Sequence, residues 1–172
     1  SEMCIRDRYN NARPHKSSYR KFNIKTVEGA NDYESTREVI FRRISKAYEE
    51  EDAIKSGTLQ DDKAKFLPLP NLILLDGGKG HVHVIKELFE TMGEEIPVYG
   101  MVKDDKHRTR ALTDENQEFY IDKDSELFKF LTGLQEEVHR FAITAFRKKH
   151  EKASVHSELD DIKGVGPAKR NK

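Results

Sequence analysis

The sequence predicts an α/β fold that contains at least one parallel pair of strands. Short apolar segments with strand character alternate along the chain with segments whose apolar residues recur at helical spacing. The clearest strand is the unbroken apolar run Leu72-Ile-Leu-Leu75, which lies between Pro70 and Asp76. Such a run is typical of a strand that is buried on both faces, as parallel strands are. Because helical segments flank this strand, we expect helices packed on a sheet.

Three segments organise the chain before Pro70. Residues 1–16 are polar and aperiodic, and we set them aside as a non-native or disordered leader. Residues 19–26 alternate apolar or aromatic with polar side chains, which predicts a strand with one face in solvent. From Tyr33 to about Glu50 the apolar spacing predicts an amphipathic helix, and the charged residues 49–65 predict a mobile loop after it.

Helix and strand continue to alternate after Asp76. His81–Met92 is predicted to form an amphipathic helix that ends at Gly93, and residues 97–102 form a second short apolar strand. Residues 110–113 and 117–122 are expected to pair as a hairpin. The last element is a long helix from about residue 126 to 149, for which Ser125 is the predicted N-cap.

The composition limits the partners and the compartment. The chain has 172 residues, enough for one domain with a short appendage. Its 31 basic residues equal its 31 acidic residues, so any attraction to nucleic acid must come from local clusters. The single cysteine, Cys4, excludes an internal disulfide, and a reducing compartment is the simplest interpretation. No apolar stretch is long enough for a membrane span, and we see no secretory signal.

Asp76 and His139 form the first candidate site. Asp76 follows the buried strand, where open α/β sheets place their sites, and His139 lies on the last predicted helix. A carboxylate and an imidazole on adjacent elements can share a divalent metal ion, or one can hold the metal while the other orients or deprotonates water. The alternatives are that Asp76 merely forms a turn before Gly77 and that His139 is a partly exposed helix histidine.

Two further candidates could bind phosphate. The turn Gly77-Gly-Lys79-Gly80 precedes a helix, and the N–H groups of such a turn attract phosphate oxygens. It lacks the spacing of a Walker A loop, so a tight turn without a ligand is the alternative. The polar loop after residue 102 supplies cations that could contact a phosphate backbone, namely Lys103, Lys106, His107, Arg108 and Arg110. Arg140 on the last predicted helix is a further predicted DNA contact. Because Asp104 and Asp105 dilute the charge of this loop, a solvated surface loop is the alternative.

The tail, residues 162–169, has the pattern of a helix-hairpin-helix module. Gly164 and Gly166 flank a valine, which lets the backbone approach a phosphate closely, and Lys169 adds a cation. A disordered tail is the alternative, because the chain stops before a second helix is complete.

Taken together, these segments resemble the UvrC family, the C subunit of the bacterial excinuclease of nucleotide excision repair. Five motifs match in family order and cover roughly residues 17–149. They are residues 18–26, Asp32-Tyr33 with Glu38 and Arg42-Arg43, Leu75–Gly80, Val102–Thr109 and Val138–Thr144. The resemblance implies a ribonuclease H-like mixed sheet with flanking helices over residues 17–152, and a linker with a partial helix-hairpin-helix over residues 153–172.

The resemblance also implies a function. The family domain cuts damaged double-stranded DNA on the 5′ side of a lesion, with two aspartates and a histidine around Mg²⁺ or Mn²⁺. Asp76 matches the second aspartate and His139 the histidine, and both are expected to be catalytic residues and metal ligands. The first aspartate and its strand have no counterpart here, so we expect an incomplete, impaired domain in a cytoplasmic protein. The excinuclease B subunit is the implied partner, through parts of the family protein absent from this sequence.

Two smaller departures and two rival interpretations stay open. His81 stands where the family commonly has glutamine, and Phe146 lies near a second family histidine. A DNA-binding module without catalysis would use the basic loop and the hairpin. An unrelated phosphate-binding α/β enzyme would use the Gly77–Gly80 turn.

Overall fold

The computed structural model describes residues 31–106, 108–137, 139–140, 143–144 and 147, and the backbone of four short strands before residue 24. Its contacts divide the chain into two compact units, Ser1–Gln135 and Glu136–Lys172. The predicted hairpin tail, with Gly164, Gly166 and Lys169, lies outside the described residues.

Four short strands lie at the beginning of the first unit. β1 (Glu2–Ile5) pairs antiparallel with β4 (Arg20–Asn23), and β2 (Tyr9–Asn10) pairs with β3 (Arg13–Pro14). β4 confirms the central part of the strand predicted at residues 19–26. Backbone pairing therefore extends into residues 1–16, and the interpretation of that segment as a non-native leader stays a prediction.

The first helix, α1 (Asp32–Lys55), begins at a side-chain cap. The Asn31 Oδ1 atom accepts the Glu34 N–H at 3.2 Å, which satisfies one of the N–H groups that a helix start leaves without a partner. The predicted end near Glu50 is wrong, because helix-compatible residues continue to Lys55 and no breaker occurs before Gly57. Gly57 has a φ of +76°, a conformation that other residues rarely adopt, so the chain turns away there.

Glu50 ties the following loop back to α1. Its Oε1 atom accepts the Lys65 N–H at 2.8 Å, and its Oε2 atom accepts the N–H groups of Phe66 and Leu67 at 2.8 and 3.2 Å. A single turn of 3₁₀ helix, Asp61–Lys63, lies within this loop. The end of the loop is thus anchored just before it leads into the sheet.

The described part of the first unit contains a four-stranded mixed sheet in the order β5 (Ile73–Leu75), β6 (Val98–Lys103), β7 (Thr109–Thr113) and β8 (Glu118–Tyr120). β5 and β6 are parallel, whereas β6–β7 and β7–β8 are antiparallel. The predicted parallel pair and the predicted hairpin are both confirmed, and so is the α/β fold class.

Two helices follow the predicted positions closely. α2 (Lys79–Met92) crosses over from β5 to β6 and ends at Gly93, which caps it with a φ of +72°. α3 covers residues 126–137, and residues 139–140, 143–144 and 147 are also helical. Ser125 Oγ accepts the Phe128 N–H at 3.1 Å, which confirms Ser125 as the N-cap.

Helices cover both faces of the sheet. Buried side chains of α1 and α2, including Ile44 and Ile85, share one apolar cluster with Ile73 and Leu75 of β5. Successive strand residues point to opposite faces, and Met101 packs on the other face with Leu131 and Leu134 of α3. Because both faces of the sheet are covered, a polar side chain is more easily exposed at the end of a strand, where Asp76 lies. Within the described residues, no helix combines the length and the apolar character that crossing a membrane requires.

Candidate functional site

Asp76 and Lys103 lie together at one edge of the sheet. Asp76 directly follows the last residue of β5, and Lys103 is the last residue of β6. Because β5 and β6 are parallel, their carboxyl ends meet at the same edge, which is where open α/β sheets bind ligands. The predicted position of Asp76 at the end of a strand is therefore confirmed, and a lysine of the neighbouring strand pairs with it.

The Asp76 carboxylate holds the Lys103 ammonium group between its two oxygens. Lys103 Nζ lies 2.9 Å from Oδ1 and 3.0 Å from Oδ2. The Asp76 side chain is 56% exposed and that of Lys103 is 38% exposed. Exposed pairs of this kind contribute little free energy, so a cation with a stronger preference for oxygen could displace the ammonium group.

The donor chemistry at Asp76 fits a divalent cation in part. Carboxylate oxygens suit Mg²⁺ and Mn²⁺, and the Lys103 ammonium shows that a cation is accepted by both oxygens. No group of three histidine, cysteine, aspartate or glutamate side chains suited to a metal ion occurs among the residues that the structure describes. Mg²⁺ is commonly held by one or two carboxylates together with waters and substrate phosphates, so Asp76 could contribute to such a site without a full protein cage.

His139 and Arg140 belong to the second unit, and both are exposed on helical backbone. Arg140 Nη2 lies 2.8 Å from Glu137 Oε2, so its charge is partly neutralised by the preceding turn of its own helix. The pairing of His139 with Asp76 stays a prediction, as does a DNA contact of Arg140.

The glycine turn between β5 and α2 is closely packed. A Cβ atom on Gly77 would lie 2.4 Å from His81 Nδ1, and one on Gly80 would lie 2.7 Å from Tyr33 Oη. The Tyr33 and His81 rings are in contact, with centroids 4.6 Å apart. A side chain at Gly77 or Gly80 would therefore displace the His81 or the Tyr33 ring. Lys79 is exposed at the first position of α2. Binding of phosphate by this turn stays a prediction.

Among its described residues, the β6–β7 loop contains one exposed basic side chain and one that pairs with an aspartate. Lys106 is exposed, whereas Arg108 makes an ion pair with Asp104 through Nη2 and Oδ2 at 3.1 Å. From the sequence, Asp104 is expected only to dilute the charge of the loop, and Tyr33 has no expected role in a site. The turn preference of aspartate before polar residues could have drawn attention to Asp104. The contact of Tyr33 with the glycine turn has no local signal in the sequence.

Comparisons with known proteins identify the family. The family model for the UvrC RNase H endonuclease domain matches residues 7–143. The UvrABC system protein C of Thermoanaerobacter pseudethanolicus is 52% identical over 154 residues, which are 90% of this chain and 25% of that protein. The Clostridium perfringens strain SM101 protein of the same name is 46% identical over 162 residues, 94% of this chain and 26% of that protein.

This chain therefore spans about a quarter of the length of the curated relatives that it matches. The family match covers most of the described sheet and helices, including Asp76, Lys103 and the β6–β7 loop. The mixed sheet with its flanking helices agrees with the ribonuclease H-like fold that the resemblance implies. This chain belongs to the UvrC RNase H endonuclease domain family.

Proposed function

We propose that this chain forms part of a metal-dependent endonuclease domain that incises lesion-containing DNA on the 5′ side during nucleotide excision repair. The observation that carries the proposal is the position of Asp76. It lies at the carboxyl edge of two parallel strands, and both of its oxygens bind the Lys103 ammonium group. Family membership supports DNA as the substrate and incision as the reaction.

Each residue then has a defined role. Asp76 and His139 are the proposed ligands of Mg²⁺ or Mn²⁺, which when bound would activate water and neutralise charge on the phosphate. The proposed phosphate contacts come from five exposed or partly exposed cations, namely Lys79, Lys103, Lys106 and Arg108 of the first unit and Arg140 of the second. In the tail, Gly164 and Gly166 would admit a phosphate close to the backbone, beside Lys169.

The proposed activity of these 172 residues by themselves is low. The resemblance assigns two aspartates to the site, and Asp76 is the one that has a match here. A site with fewer carboxylates binds its metal ion more weakly and turns over more slowly. We further propose that the excinuclease B subunit is a partner of the complete family protein and that this protein acts in the cytoplasm.

The test combines metal binding with incision. Mn²⁺ binding is measured by electron paramagnetic resonance on the full chain, on Asp76→Asn and on the control Asp105→Asn, another exposed aspartate of the same unit. We expect Asp76→Asn to weaken Mn²⁺ binding by about tenfold or more, because a ligand is lost. Asp105→Asn should bind Mn²⁺ like the unmodified chain.

Nicking of a lesion-bearing duplex in Mn²⁺ is measured on the same three proteins. We expect weak nicking on the 5′ side that Asp76→Asn removes and Asp105→Asn preserves. Strong Asp76-dependent nicking would contradict the proposed impairment and support the nuclease. Nicking that survives Asp76→Asn, with unchanged Mn²⁺ binding, would contradict the role of Asp76 as a catalytic metal ligand, and no nicking by the unmodified chain would contradict the nuclease.

A second candidate is a DNA-binding module without catalysis. It is favoured by the cations of the β6–β7 loop, where Lys106 is exposed and Arg108 is partly exposed. Comparing Asp76→Ala with Lys106→Ala separates the two functions. In a nuclease, Asp76→Ala abolishes cleavage and leaves DNA binding nearly intact. In a binding module, Lys106→Ala is the change that matters, through a salt-dependent loss of affinity.

A further inference from the structure

Asp104 closes the β6–β7 loop through five hydrogen-bonding contacts. Its Oδ1 atom accepts the N–H groups of Lys106 and Arg108, each at 2.9 Å. Its Oδ2 atom accepts Arg108 Nε at 3.1 Å and also pairs with Arg108 Nη2 at 3.1 Å. The Asp104 N–H donates to the Arg108 carbonyl oxygen at 2.7 Å. One carboxylate therefore binds both the backbone and the side chain on the far side of the loop.

Strand pairing gives the loop little support beside Asp104, because the ladder between β6 and β7 is irregular there. Val102 lies opposite Ala111, but Lys103 lies opposite Thr109, so the register shifts by one residue just before the loop begins. A bulge of this kind interrupts the pairing that would otherwise set the loop geometry. The backbone N–H groups of Arg108 and Lys106, which bond the charged form, also lower the pKa of Asp104. The carboxylate thus stays ionised at neutral pH.

This loop presents three cations beside the exposed Asp105. Lys103 precedes Asp104 and reaches Asp76, Lys106 is exposed, and Arg108 keeps 38% of its side chain exposed while bound to Asp104. The Asp104 side chain is less exposed than that of Arg108, at 18%. A loop that is ordered before it meets a ligand loses less conformational entropy when it binds.

We infer that Asp104 is a positioning residue that holds Lys106 and Arg108 in place to bind the phosphate backbone of DNA. The inference rests on the proposed function, because that function supplies DNA as the ligand. It also opposes the simple electrostatic expectation. By charge alone, removing an acid from a DNA-binding loop should tighten binding, whereas a positioning role requires that binding become weaker.

The experiment compares Asp104→Ala with Asp105→Ala on the full chain. Both changes remove one negative charge from neighbouring positions, and Asp105 accepts none of the bonds described above. Binding of a fluorescein-labelled, undamaged DNA duplex is followed by anisotropy over a series of salt concentrations, without divalent metal. We expect Asp104→Ala to weaken binding and to reduce the slope of log affinity against log salt by about one, the loss of one phosphate contact. Asp105→Ala should bind equally well or more tightly, with an unchanged slope.

Amide hydrogen exchange supplies a local readout. In Asp104→Ala, the Lys106 and Arg108 amides should lose protection while the Met101 and Leu112 amides in β6 and β7 keep theirs. If Asp104→Ala fails to fold, Asp104→Asn replaces it, with Asp105→Asn as its control. That variant keeps the Oδ1 acceptor for both backbone N–H groups but loses the Arg108 side-chain pair, so it should also bind DNA more weakly than its control.

The outcomes separate the inference from the proposed function. If the two alanine variants bind DNA equally, or Asp104→Ala binds more tightly, the positioning role is overturned while DNA binding stands. If the unmodified chain does not bind the duplex at low salt, both the DNA-binding function and the inference are overturned. Weaker binding together with local loss of amide protection supports the inference.

Discussion

At the scale of single residues, the Asp76–Lys103 ion pair affects how strongly the Asp76 carboxylate can bind another cation. The ammonium group lies within 3.0 Å of both oxygens, so a divalent ion has to compete with it for the same lone pairs. Lys103 then becomes available to a phosphate oxygen once it leaves Asp76. Under the proposed function, the pair would let one edge of the sheet bind first a metal ion and then an anionic substrate.

This competition predicts the effect of removing the ammonium group. Lys103→Met keeps the length of the side chain and should tighten Mn²⁺ binding by about two- to fivefold, which corresponds to the roughly 0.5–1 kcal/mol of an exposed ion pair. Electron paramagnetic resonance of Mn²⁺ measures the change. Lys106→Met is the matched control and should leave Mn²⁺ affinity unaltered. Equal or weaker binding by Lys103→Met would contradict competition at Asp76.

A second residue-scale prediction concerns His83 on the exposed side of α2. The hydrogen bond from its Nδ1 side to Glu115, at 3.1 Å, and the charge of Glu87 raise the pKa of His83 above its usual 6.5. The folded chain therefore holds this proton more tightly than the unfolded chain. The interactions of protonated His83 therefore contribute fully to the free energy of unfolding at pH values below the pKa of His83 in the unfolded chain. This contribution is lost as pH rises through the pKa of His83 in the folded chain.

We therefore expect His83 to titrate above 6.5 in an NMR pH series. Glu115→Gln should bring the pKa of His83 back towards that value, because the interaction that contributes most to the shift is removed. Urea unfolding at several pH values measures the free energy of unfolding. As pH rises through the pKa of His83, this free energy should fall less in His83→Gln than in the unmodified chain. A His83 titration at or below 6.5 in the unmodified chain would refute the ion pair.

At the scale of elements, β6 lies so close to the glycine turn that no side chain fits between them. A Cβ on Gly100 would lie 2.3 Å from the Gly77 carbonyl oxygen and 3.2 Å from Val82 Cγ2. The obstacle at Gly100 is backbone, which cannot swing aside as a side chain can. The turn that carries Asp76 is thus pressed directly against the neighbouring strand.

This contact predicts a difference between two glycines. Gly100→Ala should lower the free energy of unfolding by about 1–3 kcal/mol, the usual cost of overpacking. Gly78→Ala is the control, since a Cβ there meets no atom within 4 Å. It should change stability by less than about 1 kcal/mol, because it loses only the preference for glycine over alanine at the N-cap of α2. Urea unfolding of both variants measures this, and equal stabilities would show that the turn relaxes away from β6.

At the scale of the whole molecule, the order of elements followed from the amino-acid pattern. The apolar run before Asp76, the crossover helix and the alternating segments at residues 110–122 predicted a mixed sheet, and the strand pairing confirmed it. Periodicity and capping residues are local properties, so the sequence carries them directly. The end of α1 was misplaced, because residues 51–55 suit either a charged loop or one more turn of helix.

The candidate site could be predicted only in part. The position of Asp76 at a strand end follows from one buried run of residues, and the sequence therefore determined the fold class, the carboxylate and the basic loop. The partner of Asp76, the bonds of Asp104 and the contact of Gly100 with Gly77 join residues distant in the chain or depend on the exact path of a turn. Tertiary structure decided these, because strand pairing and side-chain packing set distances that local sequence preferences do not specify.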